Sequence, residues 1–177
     1  MLQKLHHVAY RCTSATETVA FYTKVLGLKL VHALTADQVP SVKQYNPHIH
    51  IFFAMEDGSY IAFFEVPMAP PAQKDPNTPA WVQHLALEVK DMTALEEGKR
   101  RLQAADVDVI GPVDHHFCQS IYFFDPSGHR LEMTVRTDQP GEVEAFEREA
   151  EGVLQGWQER ARKEHWPSAE AVPAAAD

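Results

Sequence analysis

Residues 6–12 read HHVAYRC, residues 83–89 read QHLALEV, and residues 129–135 read HRLEMTV. Each segment alternates apolar residues with small or polar ones, which is the period of a half-buried β-strand. Because successive side chains of a strand point to opposite faces, the apolar residues predict a face that packs under helices. His7, His84 and Glu132 all fall on the other face. The alternation therefore predicts three strands that each present one candidate metal ligand away from the core.

The elements around the first of these strands form a recognisable series. After a strand at 5–12, the spacing predicts a helix at 14–26 that ends at Gly27. The buried side of this helix is expected to carry Val19, Phe21, Tyr22 and Val25. An apolar hairpin follows, in which HIHIFFAM (48–55) and SYIAFFEV (59–66) are joined at Asp57-Gly58, a strong turn signal.

The same order recurs in the second half of the chain. Asp91 is the expected N-cap of a helix with the sequence MTALEEGKRRLQAA, and strands are predicted around DVDVI (106–110), QSIYFFD (119–125) and HRLEMTV. A proline-rich segment between the copies forbids regular structure and predicts an extended linker. The predicted organisation is a strand, helix, strand, strand, strand module at 1–67, a linker at 68–81, a second such module at 82–138, an amphipathic helix at 139–166 and a disordered tail at 167–177.

Composition restricts the class of protein. A chain of 177 residues with 45% apolar content can fill one core shared by two small modules. No signal peptide or membrane-spanning run is recognisable, and two cysteines, Cys12 and Cys118, make no disulfide framework, so a cytoplasmic location is expected. The net charge of −9 argues against binding to nucleic acid, which requires a basic surface. The apolar side of the predicted C-terminal helix must be buried on its own domain or on a partner, which makes a homodimer plausible.

Two histidines and one carboxylate are a ligand set with a definite chemistry. On one side of a divalent ion they leave several coordination positions open, as in non-heme Fe(II) oxygenases. Fe(II) is therefore the first expectation for the metal, with Mn(II), Zn(II) and Ni(II) as alternatives. The open positions allow two vicinal oxygens of a small-molecule substrate to bind together with O2.

Four segments carry a family resemblance: LHHVAYRC, FYTKVLGLKLV, QHLALEV and IYFFDPSGHRLEM, which lie between residue 5 and about residue 135. They resemble the vicinal-oxygen-chelate superfamily, which includes glyoxalase I, extradiol dioxygenases, and fosfomycin-resistance and bleomycin-binding proteins. The resemblance implies an α+β fold of two paired βαβββ modules that form a curved, barrel-like mixed sheet around a metal. It also places His7, His84 and Glu132 at the ligand positions, and it does not cover the C-terminal helix.

The resemblance further separates subclasses of this superfamily. Members that isomerise or epimerise supply a fourth ligand at the end of the first module, where this chain has Ala62; Glu65 points to the other face by alternation. In extradiol dioxygenases a tyrosine before the DPxG turn contacts the substrate, and Tyr122 matches it. They also use an upstream histidine as acid or base, for which His116 is preferred here over His115, although both are out of register by two or three residues.

The sequence is compatible with three functions. The first is an extradiol-type dioxygenase that acts on a small catechol-like aromatic compound, with Tyr122 and His116 as catalytic residues. The second is a glyoxalase-like lyase or isomerase, or a fosfomycin-resistance-like transferase, which uses the metal as a Lewis acid. The third is a metal-free drug-sequestering module. His48 and His50 either support the pocket or form the wet face of a strand, and aromatic walls are expected from Phe52, Tyr60, Phe64, Tyr122 and Phe124.

Overall fold

A computed structural model describes residues 1–39, 41–72, 75 and 77–166. In chain order its elements are β1 His7–Cys12, α1 Ala15–Ala20 continued by a π-helical turn Phe21–Val25, β2 Lys29–Val39, β3 Gln44–Ala54, β4 Tyr60–Glu65, β5 Leu85–Glu88, α2 Met92–Ala104, β6 Ile110–Asp114, β7 Cys118–Phe124, β8 Arg130–Arg136 and α3 Glu142–Lys163. The predicted strand, helix, strand, strand, strand series therefore occurs twice.

The strands form two four-stranded sheets, one for each copy of the series. The first sheet has the order β1-β4-β3-β2, in which β1 is parallel to β4 and the other neighbours are antiparallel. The second sheet repeats this pattern as β5-β8-β7-β6. The predicted α+β class with paired βαβββ modules is confirmed. Within the described ranges the two sheets remain separate and do not close into a continuous barrel.

The apolar faces of the strands pack under the helices, as the alternation predicted. Leu131, Met133 and Val135 of β8 are buried, and Val8 and Tyr10 of β1 pack against the same core. This core includes side chains of both modules. The opposite faces of β1 and β5, which carry the histidines, are open to solvent. The hydrophobic effect thus fixes which face of each sheet remains available for a site.

Direct hydrogen bonds join the two modules. Tyr22 is fully buried and stacks on Phe53, with 5.0 Å between the ring centroids. Its hydroxyl donates to Oδ2 of Asp125 at 3.2 Å, and burial raises the pKa of Tyr22 far above its ordinary value. The tyrosine therefore keeps the proton that it donates. Nε2 of His129 also lies 2.7 Å from the carbonyl oxygen of Arg11, and residues 1–136 form one compact unit.

Local sequence signals account for the ends of several elements. Oδ1 of Asp91 accepts a hydrogen bond from the backbone N–H of Ala94 at 2.9 Å, which confirms it as the N-cap of α2. Gly58 has a φ of 78°, and the Asp57 carboxylate accepts from the Ser59 N–H at 2.8 Å. The Asp-Gly turn between β3 and β4 therefore uses the left-handed conformation that glycine adopts at little cost.

One predicted strand lies in the wrong place. A strand was expected around residues 106–110, but β6 begins only at Ile110, the first residue paired with β7, opposite Tyr122. Val107 and Val109 pack against the core without belonging to the strand. Their alternation predicts a strand, but the two side chains instead anchor a connecting segment to the core.

The predicted linker between the modules lacks regular structure where it is described. No helix or strand occurs at 66–72, at 75 or at 77–84. The Arg11 guanidinium donates to the carbonyl oxygens of Pro70, Ala69 and Val66 at 2.6, 3.2 and 3.3 Å. This arginine on the open face of β1 is therefore occupied by holding the start of the linker.

The second compact unit begins at Thr137 and contains α3. Glu142 and Glu144 lie in its first turn, and Arg160, Arg162 and Lys163 lie in its last turn, which suits the helix dipole. The tail predicted to be disordered, 167–177, lies outside the described residues. None of the helices in the described part of the chain is long and apolar enough to cross a membrane.

Candidate active site

His84 and Glu132 are brought together on the second sheet. Nε2 of His84 lies 2.9 Å from Oε2 of Glu132, whose residue is only 6% exposed. The other ring nitrogen, Nδ1, lies 3.0 Å from the carbonyl oxygen of Val82. Because a carbonyl only accepts, Nδ1 must carry a proton, and Nε2 is then the ring nitrogen that faces the carboxylate.

The spacing between His84 and Glu132 can be compared with that of two ligands on one metal ion. A lone pair on Nε2 and an ionised carboxylate oxygen at 2.9 Å need a shared cation, either a proton or a metal ion. Two ligands about 2.1 Å from a common ion and at right angles to each other lie about 3 Å apart. An imidazole nitrogen and a carboxylate oxygen are also a donor set that Fe(II) and Mn(II) accept. The pair is therefore compatible in chemistry and spacing with two ligands of one divalent metal.

Ser120 orients the carboxylate of this pair. It is fully buried, and its hydroxyl donates to Oε1 of Glu132 at 2.5 Å, so that the other oxygen faces His84. Hydrogen bonds of this kind fix the orientation of metal ligands. The sequence interpretation missed Ser120, although the strand period of two already placed it on the same face as Tyr122.

Tyr122 and His115 form a second polar pair beside Glu132. Tyr122 is paired directly across the strands with Glu132, and its hydroxyl lies 2.8 Å from Nε2 of His115. Burial, followed by the negative charge of Glu132, raises the pKa of Tyr122 above its ordinary value. The phenol therefore remains protonated at neutral pH and can donate a hydrogen bond.

The histidine that meets Tyr122 is His115, whereas the sequence favoured His116. His116 is exposed, has a φ of 72°, and donates its backbone N–H to Oδ1 of Asp114 at 2.7 Å. It therefore lies in the turn between β6 and β7. His115 is the last residue before that turn, and its backbone N–H donates to the carbonyl oxygen of Cys118.

His7 lies on the open face of the first sheet, away from this arrangement. It is exposed, its Nδ1 is 2.8 Å from Nδ1 of His6, and its ring centroid is 5.9 Å from that of Phe52. Among the described residues of one chain, no three His, Cys, Asp or Glu side chains are placed to hold a metal ion. A single chain thus joins two of the three predicted ligands.

The strand register identifies the counterpart of Glu132 in the first module. Ala86, two residues after His84, pairs with Glu132, and Ala9, two residues after His7, pairs with Ala62. Ala62 is thus the equivalent position and offers no ligand. Glu65 is directed to the helix side, where its carboxylate accepts the Ala15 N–H at 2.6 Å.

Aromatic rings and imidazoles cover the face that carries His7. The ring of His50 stacks on Phe64 with 3.6 Å between centroids, and it lies 4.1 Å from Phe52. Burial, and then the neighbouring histidines, lower the pKa of His50, so that it is neutral at pH 7. The ring centroid of His48 lies 5.6 Å from that of Phe64. The face is therefore apolar enough to accept a planar ring.

Comparisons with known proteins agree with this architecture. The family model described as the Glyoxalase/Bleomycin resistance protein/Dioxygenase superfamily matches residues 4–133. Over 141 residues the chain is 30% identical to a protein of Bacillus subtilis (strain 168) named "Putative ring-cleaving dioxygenase MhqA". This match covers 77% of the chain and 42% of that protein, so the chain spans less than half the length of this relative.

Solved structures share the fold. A glyoxylase/bleomycin resistance protein/dioxygenase domain from Frankia sp. EAN1pec has a TM-score of 0.64 at 20% identity, over 77% of this chain and 99% of that one. A glyoxalase/dioxygenase from Nostoc punctiforme has a TM-score of 0.57 at 25% identity, with 77% and 92% covered. The fosfomycin resistance protein FosX from Listeria monocytogenes, complexed with Mn(II) and sulfate, has a TM-score of 0.55 at 18% identity, with 81% and 98% covered.

Proposed function

Because this chain belongs to the Glyoxalase/Bleomycin resistance protein/Dioxygenase superfamily, we propose that it is a metal-dependent, extradiol-type dioxygenase that opens the ring of a small catechol-like compound. The observation that carries this proposal is the hydrogen-bonded pair of Tyr122 and His115 directly beside Glu132. A Lewis-acid enzyme with four ligands would need a side chain in place of Ala62. The name of the Bacillus subtilis relative, a ring-cleaving dioxygenase, supports the same reaction class.

The residues that would hold the metal are His84, Glu132 and His7. A bound Fe(II) would supply adjacent open positions for two vicinal substrate oxygens and the electrons that O2 chemistry requires. Ser120 keeps one oxygen of Glu132 occupied, which leaves the other for the ion. Val82 holds the tautomer of His84 in which Nε2 is free to bind.

Proton transfer falls to Tyr122 and His115. A catechol hydroxyl must lose its proton when the ring binds as an anion, and a histidine titrates in the range that this step requires. His115 would accept this proton through the Tyr122 hydroxyl, with which it shares a hydrogen bond of 2.8 Å. Once the proton of the catechol has replaced the one passed to His115, the Tyr122 hydroxyl would donate a hydrogen bond to the deprotonated substrate oxygen.

Two copies of the chain would complete the site. His7 is exposed, as are Ala9 and Ala86 beside the ligand positions, so the ligand-bearing faces of β1 and β5 lie open in one chain. A second copy placed against them by a two-fold axis would bring its own His7 to His84 and Glu132 and would form two equal sites. We therefore propose a homodimer in which each site takes ligands from both chains.

The first experiment is anaerobic reconstitution of metal-stripped protein with Fe(II), followed by measurement of oxygen uptake with a panel of catechols. Uptake with a yellow ring-opened product is expected. Metal binding without uptake for any catechol would favour the lyase, isomerase or transferase alternatives. Absence of Fe(II) and Mn(II) binding would favour a metal-free binding module.

Subunit mixing tests the shared site. His7→Ala and Glu132→Ala proteins, each inactive, are mixed after dissociation and allowed to reassociate. If each site takes His7 from one copy and Glu132 from the other, half of the dimers are mixed and each contains one intact site. About a quarter of the wild-type activity and metal stoichiometry should return. No recovery from a mixture that forms mixed dimers would refute the shared site, because a site within one chain would remain broken in both.

A further inference from the structure

Arg130 lies on the ligand-bearing face of the second sheet. It precedes Glu132 by two residues on β8, so both side chains leave the same face of the strand. Its guanidinium carbon is 4.6 Å from the centroid of the Tyr122 ring. The residue is partly buried, and its Nε is buried without a hydrogen-bond partner in the described part of the chain. A permanent positive charge is thus held beside the proposed catalytic pair.

Three other arginines have evident partners. Arg100 pairs with Glu97 at 2.6 Å and Arg160 with Glu164 at 2.8 Å, while Arg11 is held by three backbone carbonyl groups. No ion pair joins Arg130 to a carboxylate among residues 1–39, 41–72, 75 and 77–166. A partly desolvated guanidinium without an anion is costly, and its planar fork matches a carboxylate in two parallel hydrogen bonds.

We propose that Arg130 binds an acidic substituent of the substrate, and that the substrate is a catechol-like ring bearing a carboxylate. This inference rests on the proposed function. Two residues along a strand span about 6.6 Å, which is comparable with a benzene ring and one substituent bond. A ring whose vicinal oxygens bind a metal held by His84 and Glu132 would therefore direct a substituent on its far side toward Arg130. The cation–π contact with the Tyr122 ring would hold the guanidinium at this position.

The test compares two substrates that differ by one charge. Catechol and 3,4-dihydroxybenzoate are turned over by the Fe(II)-loaded wild-type protein and by its Arg130→Gln and Arg130→Lys variants. Arg130→Gln removes the proposed charge-assisted contact. In this variant kcat/KM should fall about 10- to 100-fold more for 3,4-dihydroxybenzoate than for catechol, mainly because KM rises. Arg130→Lys should recover part of the difference, because it keeps the charge but loses the fork.

The matched control is Arg100→Gln, which removes the same charge from an exposed position on α2. It should leave the ratio between the two substrates unchanged. An equal loss for both substrates in Arg130→Gln would overturn the proposal, because Arg130 would then act only by supporting Tyr122. No loss for either substrate would overturn it as well.

Failure of the dioxygenase reaction can be told apart from failure of this site. If no catechol is turned over, the affinities of 3,4-dihydroxybenzoate and catechol are measured by calorimetry on the Mn(II)-loaded protein. A preference for the carboxylated ring that disappears in Arg130→Gln would support the anion site independently of ring cleavage. Equal affinities in the wild-type protein would overturn it.

Discussion

Replacement of Ser120 by alanine should weaken metal binding although Ser120 is not itself a ligand. Its hydroxyl donates to Oε1 of Glu132 at 2.5 Å from a fully buried position, where water cannot take its place. A hydrogen bond to a charged acceptor contributes about 1.5–3 kcal/mol. Since 1.4 kcal/mol corresponds to a factor of ten, the Kd for Mn(II) should rise about 10- to 100-fold. Removal of a hydrogen-bond partner of a metal ligand typically weakens metal binding by a factor of this size.

The assay is calorimetric titration of metal-stripped protein with Mn(II) at 25 °C, with urea unfolding to verify the fold. Ser59→Ala is the matched control, because Ser59 is also buried and donates to a carboxylate, Oδ1 of Asp57, at 2.6 Å in a turn of the first module. It should alter stability and leave the Kd unchanged. Ser120→Cys, with a weaker donor of similar shape, should lie between wild type and Ser120→Ala. A Kd within about twofold of wild type in folded Ser120→Ala would refute the role of this hydrogen bond, since at most about 0.4 kcal/mol would then have been lost.

Three further outcomes are expected. Tyr22→Phe should lower the free energy of unfolding by about 1.5–3 kcal/mol in urea, because it removes the buried donor to the Asp125 carboxylate; a change below about 0.5 kcal/mol would contradict this. The metal-free protein should lose stability as the pH falls below about 6.5, since His50, whose pKa is lowered in the folded state, takes up its proton more readily when unfolded; His50→Gln should flatten the pH dependence of Tm, and an unaltered slope would count against this assignment. Gly111→Ala should destabilise by more than about 1 kcal/mol, because φ is 107° and a Cβ would lie 2.6 Å from a backbone oxygen of β7; equal urea midpoints for the variant and wild type would show that this irregular part of β6 can relax.

The face assignments could be predicted because they depend on local alternation. Val8 and Leu131 are directed to the core, and His84 and Glu132 to the open side, since the period of two is a property of the extended backbone. The same rule failed at residues 106–109, where apolar residues alternate ahead of the first residue of β6. Strand pairing joins segments that are distant in the sequence, so no local sequence pattern predicts it.

The sequence by itself determined the two-module α+β architecture, the candidate ligand types and the absence of a ligand at position 62, because strand period, turn chemistry and residue identity are local properties. Only the tertiary structure decided which side chains meet. It joined His84 to Glu132 and placed the Ser120 hydroxyl against that carboxylate. It also brought His115 to Tyr122, whereas the sequence favoured His116 for this role. These contacts depend on the register between β5, β7 and β8 and on where the turn after β6 begins. A shift of one residue in that register would reverse the faces and disperse the site.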